Sequence, residues 1–489
     1  MKLDPIAVGE WLPDQPDLGN RATVAKNVIP WKDSYKSFPE LTTTSNALTA
    51  RAQGGFFARD SAANVYNFAG DATTLYQLLD GNSYSDVTRT SGVYSTAVDD
   101  WWEFIQWGET VIATNYTDDP QLISLGAGNF VALPGSPPKA RHIDVVRDFV
   151  VLGNITDAAV NYPNRVMWSG INDSESWTVS AATMADYQDL QGDGGWVQKI
   201  VGGEYGLVFQ ERAIWRMTFV GSPLIFQFDK IENKRGAFAP QSVIGYGGVS
   251  FYLADDGFYV TNGASNSVPI GDGKIDRYFL DNLDTDYWYR VNSTIDPINK
   301  LVMWGVPFTG NTGGRPNNIL VYNWVYKKWG LVEVDTECFA RFASVGYTLD
   351  GLDAVNSSID ALSPSLDSRT WAGGTQSLAA FDSSHQLATF SGAAMDATVE
   401  TGEVEHYPGY RAHVLGVRPI VDQNAATVTI GSRNLLSAAH SFGSVLSQNG
   451  SGECPSRSNA RYHRYRISTT GSFDFVQGVV ARCERGEMR

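Results

Sequence analysis

Arg165-Val166-Met167-Trp168-Ser169-Gly170, with Asp148-Phe149-Val150-Val151-Leu152 before it and Glu175-Ser176-Trp177 after it, is the clearest copy of a pattern that this chain repeats. Each copy holds short runs of β-branched and aromatic residues, polar turns between them, and an aromatic residue closing a strand. One prominent apolar run per copy is read as an inner strand, at residues 65–68, 110–114, 148–152, 205–209, 249–253 and 301–306. Partner strands follow at residues 74–79, 121–125, 165–169, 214–219, 257–261 and 319–322. The inner-strand starts lie 38 to 57 residues apart, against about 40 to 45 for a regular propeller blade, so loop insertions must separate divergent copies. A unit of this size cannot bury its apolar face alone and must pack beside its neighbours around a ring. The pattern predicts an all-β chain with a β-propeller of about six blades, five or seven also fitting.

Texture divides the chain. Residues 1–48 read as an extended N-terminal arm, in which Trp11, Trp31 and Phe38 are apolar anchors held by proline turns. The propeller is expected over residues 49–345. Residues 346–376 are rich in Ser, Asp and Gly and read as a connector. Strand texture resumes over residues 377–489, predicting a compact C-terminal domain resembling a β-sandwich. Trp168, Trp177, Trp215, Trp304 and Trp329 are assigned to packing, and alternation places most of Trp101, Trp102 and Trp107 in the blade interior. The segments 181–195 and 271–286 are long enough to be contact loops.

Chemistry is thinly supplied. Against 14 Trp, 22 Tyr and 23 Phe stand 6 His, 3 Cys and 7 Met. Cys338, Cys454 and Cys483 are too widely spaced for a zinc or redox motif and read as buried thiols. No nucleophile elbow, zinc-protease helix, phosphate loop or dinucleotide fingerprint occurs. His142 alternates along a strand as a structural histidine would, while His406, His413 and His463 lie beside Tyr and Arg in the manner of an interface. Asp255-Asp256-Gly257 has the signature of a hairpin turn. Asp281, Asp284 and Asp286 lack the glycine and terminal glutamate of a calcium loop and read as solvated charges. The expectation is a protein that is not an enzyme, with no catalytic, metal or cofactor-binding residue assigned. No basic leader and no apolar run of about 18 residues appears, so neither standard secretion nor stable membrane insertion is expected.

The net charge is −16, which disfavours general nucleic-acid binding, since affinity for phosphates comes from Lys and Arg. The charge is uneven: residues 403–489 carry ten Arg, no Lys and seven acidic residues. An Arg-only end behind an acidic body suggests contact between unlike surfaces, because the planar guanidinium suits partly desolvated pairing. Arg411, Arg418, Arg461, Arg464 and Arg466 are the interface candidates.

Several of these features together resemble a known family. The Ser37-Phe38-Pro39 anchor, the Arg-Val-x-Trp-Ser-Gly strand with Trp177, and the strand series from Trp196 to Phe228 are similar to the nozzle proteins of short-tailed bacteriophages. The similarity is greatest to the tail accessory (packaged-DNA stabilisation) proteins of P22-like phages. It continues through the Gly236-Ala237 turn, the strand at 249–253, Tyr259-Val260 and Ser267-Val268-Pro269-Ile270, and departs at 271–286 and after Tyr347. The resemblance implies a structural virion protein of the tail, assembled in the host cytoplasm as a homohexamer below the portal and adaptor. Such a ring extends the DNA channel, retains the packaged genome and conducts it at ejection. Implied partners are further copies, the adaptor or head–tail connector, tail fibre, tailspike or needle proteins, and transient non-specific contact with DNA. Acidic walls suit such a conduit, because a duplex should slide and not adhere. The alternatives are an aromatic-lined propeller adhesin binding host glycan, or a propeller glycoside hydrolase built on paired carboxylates.

Overall fold

The six apolar runs are strands, but they are the second strands of their sheets and not the inner ones. In the computed structural model, which describes residues 2–487 apart from 18, 80, 81, 345–357, 359–373, 375 and 424, each is hydrogen-bonded on both edges by antiparallel neighbours, five of them within separate four-stranded sheets. Neighbouring sheets cover both faces. Phe149–Asp157, Gly206–Gln210 and Leu301–Val306 are consequently buried almost throughout. First strands such as Glu103–Trp107 and Asn292–Asp296 alternate buried with half-buried residues, because one edge faces the axis. A strand buried on all sides reads as a continuous apolar run, whereas an axial strand does not.

Among the described residues, seven sheets form the ring. Six are separate four-stranded sheets, and the seventh quartet, Asn292–Asp296 to Lys328–Glu333, continues into a larger sheet. The first strands pack side by side, and Cys338–Ala343 of the last blade lies against Gly55–Arg59 of the first, which closes the circle. The blade that the repeat does not reveal is composite: Cys338–Ala343, Gln376–Phe381 and Gln386–Ala394 are completed by Pro39–Ala47 from the N-terminal region.

This composite blade corrects the predicted domain boundaries. Residues 376–394 belong to the propeller and not to the C-terminal domain. Residues 1–48 are not a free arm, since nearly every segment there is a strand supplied to a distant sheet. Lys2–Ala7 pairs with Val476–Arg485, from Lys2 opposite Cys483 to Ala7 opposite Gly478. Arg21–Lys26 pairs with Ala397–Thr401. Short strands serving different sheets share no common period, which is why the region reads as irregular. The connector at 346–376 lies largely outside the described residues. Of the two predicted contact loops, 181–195 contains the outer strand Asp186–Asp189 of the third blade. The other, 271–286, contains the helix Asp276–Asn282, whose first amides, Arg277 and Tyr278, donate to the Asp14 carboxylate at 3.0 and 2.8 Å.

The C-terminal domain is a sandwich of two sheets. One is built around Ala412–Val421 and Val476–Arg485, the other around Tyr462–Thr469, Thr427–Arg433 and Arg21–Lys26. Lys26 opposite Leu331 links the second sheet to the outer strand of the sixth blade. One hydrophobic cluster therefore runs from Phe258, Trp304 and Trp329 into Tyr465, Val428 and Val479, so the sandwich is anchored to the ring.

The assigned tryptophans are packing residues. Trp168, Trp304 and Trp329 are at most 2% exposed, and Trp177 is buried. Their indole nitrogens donate to the carbonyls of Met184, Ser242, Ile270 and Ser174. Trp215 is half-buried and donates to the Gln210 side chain at 2.7 Å. Trp168→Ala is expected to cost about 3 to 5 kcal/mol, read as a lowered denaturation midpoint. A chain truncated before Leu48 is expected to lose cooperative unfolding and to be cleaved by protease within Gln376–Ala394; an intact, cooperative truncation would show that the ring closes without its N-terminal strand.

Candidate functional site at the propeller axis

Around the axis, donors from three consecutive segments converge on one carboxylate. Glu103, at the start of the second blade, is buried. It accepts from Lys199 Nζ at 2.6 Å, Gln241 Nε2 at 2.8 Å, His142 Nδ1 at 3.0 Å and the Ile143 amide at 3.2 Å. Burial alone would raise this carboxyl, but the Lys199 ammonium and then His142 override it and hold it down to about 2. His142 is itself kept neutral by burial, against the pull of Glu103. A carboxylate can only accept, so Nδ1 carries the proton and Nε2 is a bare acceptor. That Nε2 is buried without a partner.

Two cavities share Trp101, Glu103 and Gln241 in their walls. The larger, about 970 Å³, runs along the axis past Phe57, Asp144, Asn292 and Arg341. The smaller, about 490 Å³, is a cup at the mouth, formed where the loops turn into the first strands. Both have the size of small-molecule sites, about 300 to 1,000 Å³.

In the cup, Asp100 is 5% exposed and stands 3.0 Å from Arg141 Nε, whose guanidinium lies 4.4 Å over the Tyr116 ring. Burial pushes the Asp100 carboxyl up to about 6 in spite of Arg141. Trp196, which opens the fourth blade, is 50% exposed on the rim. Of the three tryptophans, two of which were expected in the blade interior, Trp101 and Trp102 are buried and Trp107 is half-buried; the first two donate to the carbonyls of Tyr289 and Asp71. A Cβ at Gly70 would lie 2.4 Å from the Trp102 ring, so only glycine admits that close approach.

The arginine candidates scatter. Arg464 and Arg466 turn inward, donating to the two oxygens of Glu400 at 2.9 and 2.7 Å, and Glu400 is 1% exposed. Arg461 donates to Glu405 at 2.7 Å. Arg411 is half-buried, and its chain carbonyl accepts from the Gly486 amide. Arg418 is exposed. His406 and His463 are also interior, contrary to the interface reading: His406 bridges Asp4 and the Tyr465 hydroxyl at 2.8 and 2.6 Å. His413 is exposed. Asp256 shapes its hairpin by accepting from Arg235 and Tyr259. Asp284 caps the turn Thr285–Arg290, and Asp281 pairs with Arg277.

Sequence reading missed Glu103, Lys199, Gln241, Asp100 and Arg141. The available signal was Asp99-Asp100-Trp101-Trp102-Glu103, where carboxylates flank two aromatics at the start of a strand.

No family model matches the chain, and no curated protein matches it. Among solved structures, the computationally designed Ika8 protein is similar over 73% of this chain and 99% of its own, at 8% identity and a TM-score of 0.37.

Because the folded-state pKa of Glu103 is depressed, its ionisation contributes stability that is complete above about pH 4.5 and is lost as pH falls toward about 2. Lys199→Met leaves that charge uncompensated and is expected to cost about 3 to 5 kcal/mol at pH 7. The deficit shrinks on acidification, and Lys199→Met combined with Glu103→Gln recovers most of the loss in denaturant titrations. A single variant as stable as the parent at pH 7 would show that the ion pair does not hold the axis.

Proposed function

We propose that this chain is a structural subunit of a short-tailed phage tail, of the nozzle or tail accessory type, whose copies surround a DNA channel. The observation that carries this reading is where the resembling residues fall. Ser37-Phe38-Pro39 sits at the crossing between sandwich and ring: the Ser37 hydroxyl donates to the Phe473 carbonyl at 3.0 Å, Phe38 is buried, and Pro39 begins the closing strand. Arg165 to Trp168 end the third strand of the third blade, and 249–253 and Tyr259-Val260 lie in the second and third strands of the fifth. The resemblance therefore concerns the load-carrying framework and not a surface loop.

Dimensions support a path for DNA between subunits. The axial cavity has the volume of a ligand site, far too small for a duplex whose major groove alone is about 12 Å wide. A chain that conducts DNA must do so as one wall of a larger ring, and a net charge of −16 gives that wall the sign that discourages adhesion.

Mass photometry and negative-stain imaging of the purified chain, alone and with portal and adaptor proteins, test the reading. The expected result is a closed ring that joins the adaptor. Arg418→Glu should weaken assembly with the fold intact, whereas Arg464→Glu should unfold the sandwich, because it places a third carboxylate beside Glu400 and Asp17. A chain that remains monomeric with all tail partners and binds neutral glycans would replace this reading with the adhesin.

A further inference from the structure

The cup at the mouth of the propeller is mismatched in its hydrogen-bonding groups. Its lining includes the carboxylates of Asp99, Asp100, Glu211 and Asp286, all acceptors at neutral pH. Among the described residues, Asp99, Glu211 and Asp286 have no cation within salt-bridge distance: the one cation in the lining, Arg141, is engaged by Asp100 and spread over Tyr116. Glu103, at the floor, is compensated from within by Lys199. Arg51 and Arg290 stand behind the wall, where Arg51 lies over Trp101 and Arg290 beside Tyr289.

A second observation is independent of the carboxylates. His142, 2% exposed, belongs to the same lining, and its Nε2 is an acceptor with no donor. An unpaired buried acceptor is destabilising, and a donor brought by a ligand would remove that cost. The rim adds aromatic surface, with Trp196 half exposed ahead of the fourth blade and Trp288 and Tyr289 ahead of the sixth.

We propose that this cup recognises a guanidinium group, carried by a small molecule or by an arginine of a protein. A guanidinium brings five donors and no acceptor, matching a lining rich in acceptors. It is planar and weakly hydrated, so it can lie on the Trp196 face while its N–H groups reach Asp100, Glu211 and His142 on different segments. An ammonium concentrates three donors at one point and spans such a set less well. A neutral saccharide brings acceptors of its own and leaves the carboxylates uncompensated. The proposal stands apart from the nozzle reading and survives its failure.

Titration of the full chain with N-acetylarginine amide, followed by calorimetry and tryptophan fluorescence, tests it. Binding is expected, with the isosteric but neutral citrulline derivative weaker by about tenfold or more, equivalent to about 1.4 kcal/mol. The lysine derivative falls between them. Trp196→Ala and Asp100→Asn should each weaken the arginine probe by a similar factor at unchanged circular dichroism, and Trp196→Ala, a rim substitution, keeps the test usable if Asp100→Asn fails to fold. Sedimentation velocity separates the sources. Self-association abolished by the probe and by Trp196→Ala places the guanidinium on a second copy; a monomer that binds the probe places it on another molecule. Equal affinity for the citrulline derivative, no binding of the arginine probe, or displacement of the probe by lactose would overturn the assignment.

Discussion

The ring depends on one strand that arrives from the other end of the chain. Pro39–Ala47 pairs with Gln386–Ala394, and the Thr44 hydroxyl donates to the Leu387 carbonyl across 343 positions of sequence. Joining ends so far apart costs only about 5 kcal/mol in loop entropy, because that cost grows with the logarithm of length. Without this strand the last blade would expose an unpaired edge. The same N-terminal region continues into both sheets of the sandwich, so propeller closure and sandwich assembly are mechanically one event. Ser37, held by Phe473, and Pro39, the first residue of the closing strand, are two positions apart. Leverage at this crossing explains why a proline-rich stretch with little periodicity is structurally decisive.

Sequence reading located the second strands of six blades because those strands are enclosed and read as nearly continuous apolar runs, and it placed the third strands as their partners. Apart from the one around His142, the first strands escaped for the same reason inverted: a strand such as Asn292–Asp296 faces the axis, and its polar residues break the pattern. The seventh blade was illegible for a different cause. A repeat is visible only when its strands are consecutive, and here the fourth strand precedes the first by almost the whole ring. Pairing across such a distance is set by geometry that no local window contains.

Charge was legible as a count and not as a set of partners. The Arg-rich end does exist, yet Arg433, Arg461, Arg464 and Arg466 are directed at Glu403, Glu405 and Glu400 within the same domain. Buried carboxylates must be compensated where they are buried, and Arg does this with two-pronged geometry that Lys cannot match. The preference for Arg over Lys therefore has an internal cause in this sandwich, and only exposed positions such as Arg418 are left to an external one. His142 shows the complementary limit. Alternation identified it as a strand histidine bonded within the structure, which holds for Nδ1, but no pattern in one sequence reports whether the second nitrogen has a partner.

The two halves of the molecule treat ionisable groups in opposite ways, and this contrast locates where chemistry remains open. In the sandwich, Glu400 faces Arg464 and Arg466 of the adjacent strand and Glu403 faces Arg433 of the strand beyond it, so burial is balanced on the spot. At the axis, Glu103 is balanced with equal completeness by donors from three neighbouring segments. That network ties the second, third and fourth blades and the turn before the fifth into one floor. Immediately above it the balance stops: burial raises the Asp100 carboxyl to about 6, Asp99, Glu211 and Asp286 have no counter-ion among the described residues, and the Trp196 indole lies half exposed. In the sandwich the enclosed carboxylates Glu400 and Glu403 meet donors of their own domain. A cup that withholds such donors, set above the Glu103 network, is shaped for a partner that supplies them.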